Sequence, residues 1–243
     1  MTPVHMKLLL ISNSYQPNMG YLEHALPWVR EHFASCKNIF FVPYALHNCE
    51  AYYKLAVAAL EPMGLHVFSA HQSPNPKSML DNCDGILMAG GNTSRLLKVL
   101  QEKDLLGVLR ERALAATPYV GSSAGTVLAC PTIMTTNDMP IARVSSFDAL
   151  SLLPFQINPH YLDPLPNSQH MGETRQKRIE QFLEDNAVPV LGLREGSALK
   201  IAESMPLELL GKNPARLFRP GQEPVEISPG KVPENLLAGI KEK

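Results

Sequence analysis

The sequence has little net charge, no long apolar run and few cysteines, and each shortage excludes a class of protein. Its 243 residues include 22 Lys and Arg against 23 Asp and Glu, for a formal net charge of −1. A nearly neutral chain has no strong field for nucleic acid or an anionic membrane surface, so we expect neither as a partner. Apolar runs extend over only a handful of residues, whereas a membrane-spanning helix needs about 20. We therefore expect no spanning helix, and also no signal peptide, because the first residues lack its apolar region.

Motifs for metals and nucleotides are also missing. The four cysteines are scattered and form no CxxC pair, which indicates reduced thiols in a cytoplasmic protein. The chain contains neither HExxH nor another cluster of His, Cys and acidic residues at ligand spacing, so we expect no metal and no other cofactor. Nucleotide binding has no support either, since a GxxxxGK[ST] loop and an early GxGxxG are both absent.

The apolar pattern that is present predicts an α/β fold. Apolar residues make up 45% of the chain and charged residues 19%, which is enough for a large core. Apolar segments predict strands over residues 6–12, 38–44, 65–70, 85–89 and 118–121. Apolar residues that recur every three to four positions predict helices over residues 21–34, 50–63 and around 96–100. Because the strands are apolar throughout, we expect a mostly parallel central sheet with helices on both faces.

Beyond residue 185 the pattern changes to short strands. Candidates over residues 188–193, 197–202, 215–219 and 225–227 are joined by turns that contain Gly and Pro, which predicts C-terminal β-hairpins on one side of the same domain. The chain contains no repeat, low-complexity stretch or linker. We therefore expect a single domain over residues 1–243, with residues 1–5 and about 236–243 frayed.

The strongest local signal is a GxSxG sequence over Gly121-Ser122-Ser123-Ala124-Gly125, between an apolar strand and an apolar helix. In this context GxSxG is typical of a nucleophile elbow, a sharp turn that exposes its central serine at the carboxyl end of the sheet. The first N–H groups of the helix can then stabilise an oxyanion. We interpret Ser123 as the nucleophile, while Ser122 should point elsewhere. The alternative is an ordinary glycine-rich turn before a helix.

A second oxyanion donor should come from another loop at the same edge of the sheet. Gly90-Gly91-Asn92 follows the fourth predicted strand, so it also lies at a carboxyl end. A strand-to-helix turn that binds no ligand explains these residues equally well.

A serine nucleophile requires a base, and the base requires an acid that orients it. Of the eight histidines, His160 stands out because it ends the strand-like segment 155–158, where Pro159 restricts the turn. Two acids fit as its partner: Asp138 lies in a polar turn after the nucleophile helix, and Glu195 directly follows a predicted strand. Each could instead be a surface acid, and the residues alone do not decide between them.

Nine short motifs occur in a fixed order: Ser12-Asn13-Ser14, Leu22-Glu23-His24-Ala25-Leu26-Pro27, Gly90-Gly91-Asn92-Thr93, Gly121-x-Ser123-Ala124-Gly125, Cys130-Pro131-Thr132-Ile133, Thr135-Thr136-Asn137-Asp138-Met139-Pro140, Gln156-Ile157-Asn158-Pro159-His160, Gly172-Glu173-Thr174-Arg175 and Gly192-Leu193-x-Glu195-Gly196. Together they resemble peptidase E, the α-aspartyl dipeptidase family. The resemblance covers about residues 6 to 220. Each motif alone is modest, but nine in this order are specific.

The resemblance implies a class I glutamine-amidotransferase-like α/β fold and a serine peptidase without metal. It also implies hydrolysis of dipeptides that carry an N-terminal aspartate, in the cytoplasm. Carried over by position, Ser123 is the nucleophile, His160 is the base, and the amides of Gly91 and Ala124 form the oxyanion hole. Arg175 matches the basic residue of the family's GETR motif and is a natural partner for the β-carboxylate of the substrate.

Asp138 and Glu195 both stand where the family keeps an acid. We favour Glu195 as the residue that orients His160, because a position directly after a core strand is rigidly supported. Asp138 would then be a second essential acid that helps to shape the pocket or binds the free α-amino group of the substrate. Two positions depart from the family pattern: Ser122 replaces a usual Trp, and Arg194 replaces a usual Pro.

Two other functions fit the same residues. A related serine exopeptidase could cleave β-aspartyl or cyanophycin-type peptides, and an inactive protein on the same fold could bind peptides without hydrolysing them. The presence of Ser123, His160 and both acids argues against the inactive protein, since a degenerate site usually loses one of these groups.

Overall fold

A computed structural model describes residues 6–164, 172–202 and 207–232. The ends that we predicted to be frayed, residues 1–5 and 236–243, lie outside the described residues. The strands are β1 (Leu8–Ile11), β2 (Asn38–Val42), β3 (His66–Ser69), β4 (Gly85–Met88), β5 (Tyr119–Ser122), β6 (Gln156–Tyr161), β7 (Val190–Arg194), β8 (Ser197–Ile201), β9 (Glu208–Gly211), β10 (Ala215–Phe218), β11 (Val225–Ile227) and β12 (Gly230–Lys231). The helices are α1 (Leu26–His32), α2 (Cys49–Leu60), α3 (Pro76–Leu80), α4 (Thr93–Glu102), α5 (Leu106–Leu114), α6 (Ala124–Leu128) and α7 (Arg175–Asp185).

The first five strands form where the apolar segments predicted them. The expected helices also form, although two are shorter than predicted: a 3₁₀ turn precedes α1, and another, Glu61–Met63, continues α2. Gly64 ends this second turn in a left-handed conformation with φ of 81°. Helices α3 and α5 and strands β9 and β12 were not predicted.

The larger sheet of the described chain has eight strands in the order β12-β9-β8-β1-β5-β4-β2-β3. The five strands from β1 to β3 in this order pair in parallel, whereas β8, β9 and β12 add antiparallel pairs beside β1. This arrangement confirms the mostly parallel central sheet. The carboxyl ends of β1, β4 and β5 therefore lie at one edge of the sheet, which brings their following loops together.

Both faces of the larger sheet are buried. Leu8 and Leu10 of β1 belong to a core that includes residues of α4, α5 and α6. Leu9 and Ile11, which point to the opposite face, belong to a second core with residues of α1 and α2. The prediction of helices on both faces is therefore confirmed, and it explains why β1 is apolar at every position.

A second sheet of four strands lies beside the first, in the order β11-β10-β7-β6. The expected C-terminal hairpins are present, since β8 pairs with β9 and β10 pairs with β11 in antiparallel fashion. The sequence did not predict that these strands divide between two sheets. Strand β7 ends at Arg194 in the second sheet and β8 begins at Ser197 in the first, so the turn between them crosses from one sheet to the other.

The two glycines of the GxSxG segment are required by close contacts of backbone with backbone. A Cβ atom on Gly125 would lie 2.1 Å from the carbonyl oxygen of Met88 in β4. A Cβ atom on Gly121 would lie 2.5 Å from the carbonyl oxygen of Gly125. Helix α6 can therefore pack directly on β4 and β5 only because these side chains are absent.

We predict that Gly125→Ala destabilises the protein, because the new methyl group forces α6 away from β4. Overpacking of this kind costs about 1–3 kcal/mol. Thermal unfolding followed by circular dichroism measures the effect, with Gly107→Ala in α5 as the control. A Cβ atom on Gly107 meets nothing within 4 Å, so its melting temperature should stay equal or rise. Equal melting temperatures for Gly125→Ala and the wild type would contradict the contact between α6 and β4.

Candidate active site

Ser123 occupies the sharp turn between β5 and α6. Its backbone has φ of 51° and ψ of −108°, a conformation that L residues rarely adopt. The surrounding structure holds this conformation: the Ser123 N–H donates to the carbonyl of Ile11 at 3.0 Å, and the Ser123 carbonyl accepts from the N–H of Thr126 at 2.9 Å. The side chain is half-buried at the carboxyl end of the sheet. These are the geometric features expected of a nucleophile elbow.

Ser122, the rival serine, points into the protein. It is fully buried, and its Oγ lies 2.8 Å from Oγ of Ser14. Beside this pair the hydroxyl of Tyr52 accepts a hydrogen bond from the N–H of Gly90 at 3.0 Å. Burial raises the pKa of Tyr52 to about 12, so its phenol stays protonated at neutral pH. Buried hydroxyl groups therefore lie beside the Gly90–Gly91 loop, and one of them accepts a hydrogen bond from its first amide.

His160 directly faces Ser123, with its Nε2 2.8 Å from Ser123 Oγ. We expected His160 to lie just past the end of a strand. Strand β6 instead continues to Tyr161, so His160 is its next-to-last residue. His160 has φ of 52° at a register shift between Pro159 and Tyr161, where β6 pairs with β7. Such a bulge redirects one side chain out of the regular pattern of the sheet. His160 therefore reaches Ser123 from the second sheet, not from the edge of the first.

Glu195 lies on the other side of the imidazole ring. Its Oε1 is 2.6 Å from His160 Nδ1, and both side chains are partly exposed. It occupies the turn that crosses between the two sheets, followed by Gly196 with φ of 76°. The side chain of Asn213 donates a hydrogen bond to the Glu195 carbonyl at 2.8 Å. The three side chains form a continuous hydrogen-bonded chain, which can move a proton from the hydroxyl to the imidazole.

Asp138 lies in the same cavity but contacts a different group. Its Oδ2 accepts hydrogen bonds from the N–H of Thr93, at 2.8 Å, and from the Thr93 hydroxyl. Thr93 is the first residue of α4, so the carboxylate sits at the positive end of the helix dipole. Of the two candidate acids, Glu195 is the one hydrogen-bonded to His160.

Five of the candidate residues, Gly91, Ser123, Asp138, His160 and Glu195, line one open cavity of about 450 Å³. Its described walls include Ser14, Tyr15, Leu46, Tyr52, Gly90, Gly91, Ser123, Asp138, His160 and Glu195. Gly91 has φ of 127° and lies close to the carbonyl of Ala45, so a side chain there would be strained and crowded. Ala124 is the first residue of α6, where an N–H group has no acceptor within the helix. Gly91 thus lines the same cavity as Ser123, and Ala124 directly follows Ser123 in the chain, while their role as oxyanion donors stays a prediction.

Arg175 begins α7, after Thr174, whose side chain accepts from the N–H of Lys177. It is not among the described residues that line the cavity. Burial is the main cause that lowers the pKa of Arg175, and Arg178 lowers it further, while the negative charge of Asp138 opposes the shift. The pKa of Arg175 therefore responds to the charge of Asp138, and the role of its side chain in substrate binding stays a prediction.

Several residues of the site were not assigned a role from the sequence. Tyr15 and Leu46 add apolar surface to the cavity. The Ser12 hydroxyl accepts a hydrogen bond from the N–H of His160 at 2.9 Å, and Oδ1 of Asn13 accepts one from the N–H of Gly196, next to Glu195, at 2.8 Å. The only sequence signal for Ser12 and Asn13 was their place in a polar motif directly after β1, at a carboxyl end of the sheet.

Two further observations concern the described residues as a whole. They contain no group of three or more His, Cys, Asp or Glu side chains that could hold a metal ion. None of the helices within them is long and apolar enough to cross a membrane.

The arrangement described above is that of a serine hydrolase, and comparisons with known proteins specify its family. A family model described as peptidase family S51 matches residues 8–208. Peptidase E of Streptomyces coelicolor is 47% identical over 232 residues, which cover 96% of this chain and 95% of that protein. A Drosophila melanogaster protein described as a probable alpha-aspartyl dipeptidase is 45% identical over 225 residues, covering 91% of this chain and 93% of that protein.

Solved structures share the fold. The crystal structure of a peptidase from an acI-B1 actinobacterium superposes with a TM-score of 0.68 at 16% identity, covering 94% of this chain and 97% of that one. The chain belongs to peptidase family S51, a family of serine peptidases. The family resemblance that the nine motifs indicated is therefore confirmed.

We predict that the two isosteric substitutions Glu195→Gln and Asp138→Asn have different effects on the reactivity of Ser123. Glu195→Gln should slow the reaction of Ser123 with a serine-directed phosphonate by up to about 10⁴-fold, because the imidazole loses the acid that orients it. Asp138→Asn should leave this rate within a few-fold of the wild type, since Asp138 bonds Thr93 and not His160. Mass spectrometry measures the labelled fraction over time. Slow labelling of Asp138→Asn together with normal labelling of Glu195→Gln would reverse the two roles.

Proposed function

We propose that the protein is a serine dipeptidase that hydrolyses dipeptides with an N-terminal aspartate through an acyl-enzyme on Ser123. The observation that carries the proposal is the unbroken chain of contacts from Ser123 Oγ to His160 Nε2, at 2.8 Å, and from His160 Nδ1 to Glu195 Oε1, at 2.6 Å. Family membership supports the same chemistry. The proposal places the reaction in the cytoplasm, as the family resemblance implies.

The reaction begins when Ser123 Oγ attacks the carbonyl carbon of the peptide bond. With a proton held on Nδ1 by Glu195, Nε2 of His160 accepts the proton of the Ser123 hydroxyl. The N–H groups of Gly91 and Ala124 stabilise the negative oxygen of the tetrahedral intermediate. His160 then gives its proton to the leaving amine, and the C–N bond breaks to leave an ester on Ser123. Water, activated by His160, hydrolyses this ester and restores the enzyme.

The substrate is inferred from its two charges. An N-terminal aspartate carries an α-ammonium group and a β-carboxylate. Asp138, which lines the cavity, offers a negative charge, and Arg175, the first residue of α7, offers a positive one. We assign Asp138 to the ammonium and Arg175 to the β-carboxylate, because a guanidinium can bind both oxygens of a carboxylate in one plane. The Drosophila melanogaster relative is described as a probable alpha-aspartyl dipeptidase, which supports an N-terminal aspartate in the substrate.

We predict that Ser123→Ala abolishes hydrolysis of Asp-Leu without loss of folding. Removal of the nucleophile from a serine triad lowers kcat by a factor on the order of 10⁶. Liquid chromatography of the released leucine measures activity, and the melting temperature tests folding. The wild type should also cleave Asp-Leu in preference to Asn-Leu, N-acetyl-Asp-Leu, β-Asp-Leu and an Asp tripeptide. Near-normal turnover by Ser123→Ala would exclude the serine mechanism, and a preference for β-Asp-Leu would redirect the substrate assignment.

We predict that Arg175→Met reduces the preference for Asp-Leu over Asn-Leu, because the variant loses the charge that distinguishes a carboxylate from an amide. The ratio of kcat/KM for the two dipeptides measures the effect. Arg178→Met is the matched control on the same helix, where Arg178 is exposed and pairs with Glu173 at 3.8 Å. The control should keep the wild-type ratio. A ratio that is unchanged in Arg175→Met would show that another group binds the β-carboxylate.

A further inference from the structure

Three consecutive residues at the end of β1, Ile11–Asn13, each accept a hydrogen bond from a backbone N–H of the active site. The donors are Ser123, His160 and Gly196, which follows Glu195. From this geometry we propose that Ser12, assisted by Asn13, is a positioning residue that sets His160 and Glu195 in register with Ser123. The inference rests on the proposed serine mechanism, because it concerns how Ser123, His160 and Glu195 are held. It assigns a role to two residues that do not line the described cavity.

Ser12 hydrogen-bonds two neighbouring strands of the second sheet from the end of a strand of the first. Its side chain is fully buried, and its Oγ accepts from the N–H of His160 at 2.9 Å while donating to the carbonyl of Leu193 at 2.8 Å. His160 is in β6 and Leu193 is in β7, and their partner follows β1 directly. One hydroxyl group therefore uses both its donor and an acceptor site to join three strands from two sheets.

The bond to His160 lies at the bulge that directs the imidazole toward Ser123. With φ of 52°, His160 is in the left-handed region, which a residue with a side chain adopts only where its surroundings hold it. The register of β6 against β7 shifts at this position, so the ladder between these strands does not fix it in the regular way. The Ser12 hydroxyl supplies the fixed partner for the His160 N–H.

Asn13 and Ile11, the neighbours of Ser12, make the corresponding hydrogen bonds beside the acid and at the nucleophile. The side chain of Asn13 is almost fully buried, and its Oδ1 accepts from the N–H of Gly196 at 2.8 Å, next to Glu195. The carbonyl of Ile11 accepts from the N–H of Ser123 at 3.0 Å. The nucleophile, the base and the residue after the acid thus each hydrogen-bond one of three adjacent residues at the end of β1, although they come from three separate parts of the chain.

Loss of the Ser12 hydroxyl should displace the imidazole rather than remove it. The 2.8 Å contact between Ser123 Oγ and His160 Nε2 requires alignment, and a shift of about 1 Å in a reacting group can cost about 100-fold in rate. Substrate contacts made by Asp138 and Arg175 do not depend on Ser12. The expected signature is therefore a lower kcat with little change in KM.

The experiment compares Ser12→Ala, Ser12→Thr and the control Ser69→Ala. Ser69 is also fully buried, ends the parallel strand β3 of the same sheet, and hydrogen-bonds His71 at 2.6 Å, away from the site. For Ser12→Ala we expect kcat for Asp-Leu and the rate of phosphonate labelling of Ser123 to fall about 10- to 100-fold, with KM changed less than about 3-fold. Ser12→Thr keeps the hydroxyl and should recover most of the loss. Ser69→Ala should keep wild-type values.

Other outcomes overturn the inference. A folded Ser12→Ala that is labelled at the wild-type rate, or a Ser12→Thr that is as slow as Ser12→Ala, would show that the hydroxyl does not position His160. If Ser12→Ala does not fold, Asn13→Ala provides the same test at the acid, and a wild-type labelling rate there would overturn it. Absence of labelling in the wild type would refute the serine mechanism itself. Normal labelling without cleavage of Asp-Leu would affect only the proposed substrate.

Discussion

The junction between the two sheets is the constraint on which the site depends. Ser123 follows β5 in the larger sheet, His160 lies in β6 of the smaller sheet, and Glu195 occupies the turn where the chain crosses from one to the other. A small rotation of one sheet against the other would separate all three side chains. The buried hydroxyl of Ser12 and the β7–β8 turn oppose that rotation, because both connect the two sheets and both hydrogen-bond His160.

The strained residues of the site are concentrated at this junction. Ser123 and His160 both have positive φ, at 51° and 52°. For residues with a side chain, each such backbone costs on the order of 1–3 kcal/mol and must be offset by the packing around it. Here the fully buried strands β1, β4 and β5 provide that packing. A rigid parallel sheet can therefore present a hydroxyl, an imidazole and N–H donors in conformations that an isolated loop would not keep.

Much of this arrangement could be predicted from the sequence, and the rest could not for physical reasons. Apolar segments predicted β1 to β5, most clearly β1 and β4, because strands buried on both faces leave little room for polar residues. Gly125 marked the elbow because only glycine fits against the backbone of β4. The division into two sheets was not predictable, since a strand's own residues do not show which neighbour it pairs with. The role of Ser12 was missed because its bond to His160 joins residues 148 positions apart.

The choice between the two acids shows the same limit at the level of single residues. Asp138 and Glu195 are both in turns, and residue type alone does not separate them, although the place of Glu195 directly after a predicted strand favoured it. The structure separates them by the groups that each carboxylate contacts. Asp138 accepts hydrogen bonds from the N–H and the hydroxyl of Thr93, whereas Glu195 contacts Nδ1 of His160. A carboxylate whose Oδ2 accepts two hydrogen bonds from one residue is fixed in position. Asp138 is therefore suited to bind a cation of the substrate. Glu195, bound to the imidazole, is suited to stabilise the positive charge that His160 carries only during the reaction.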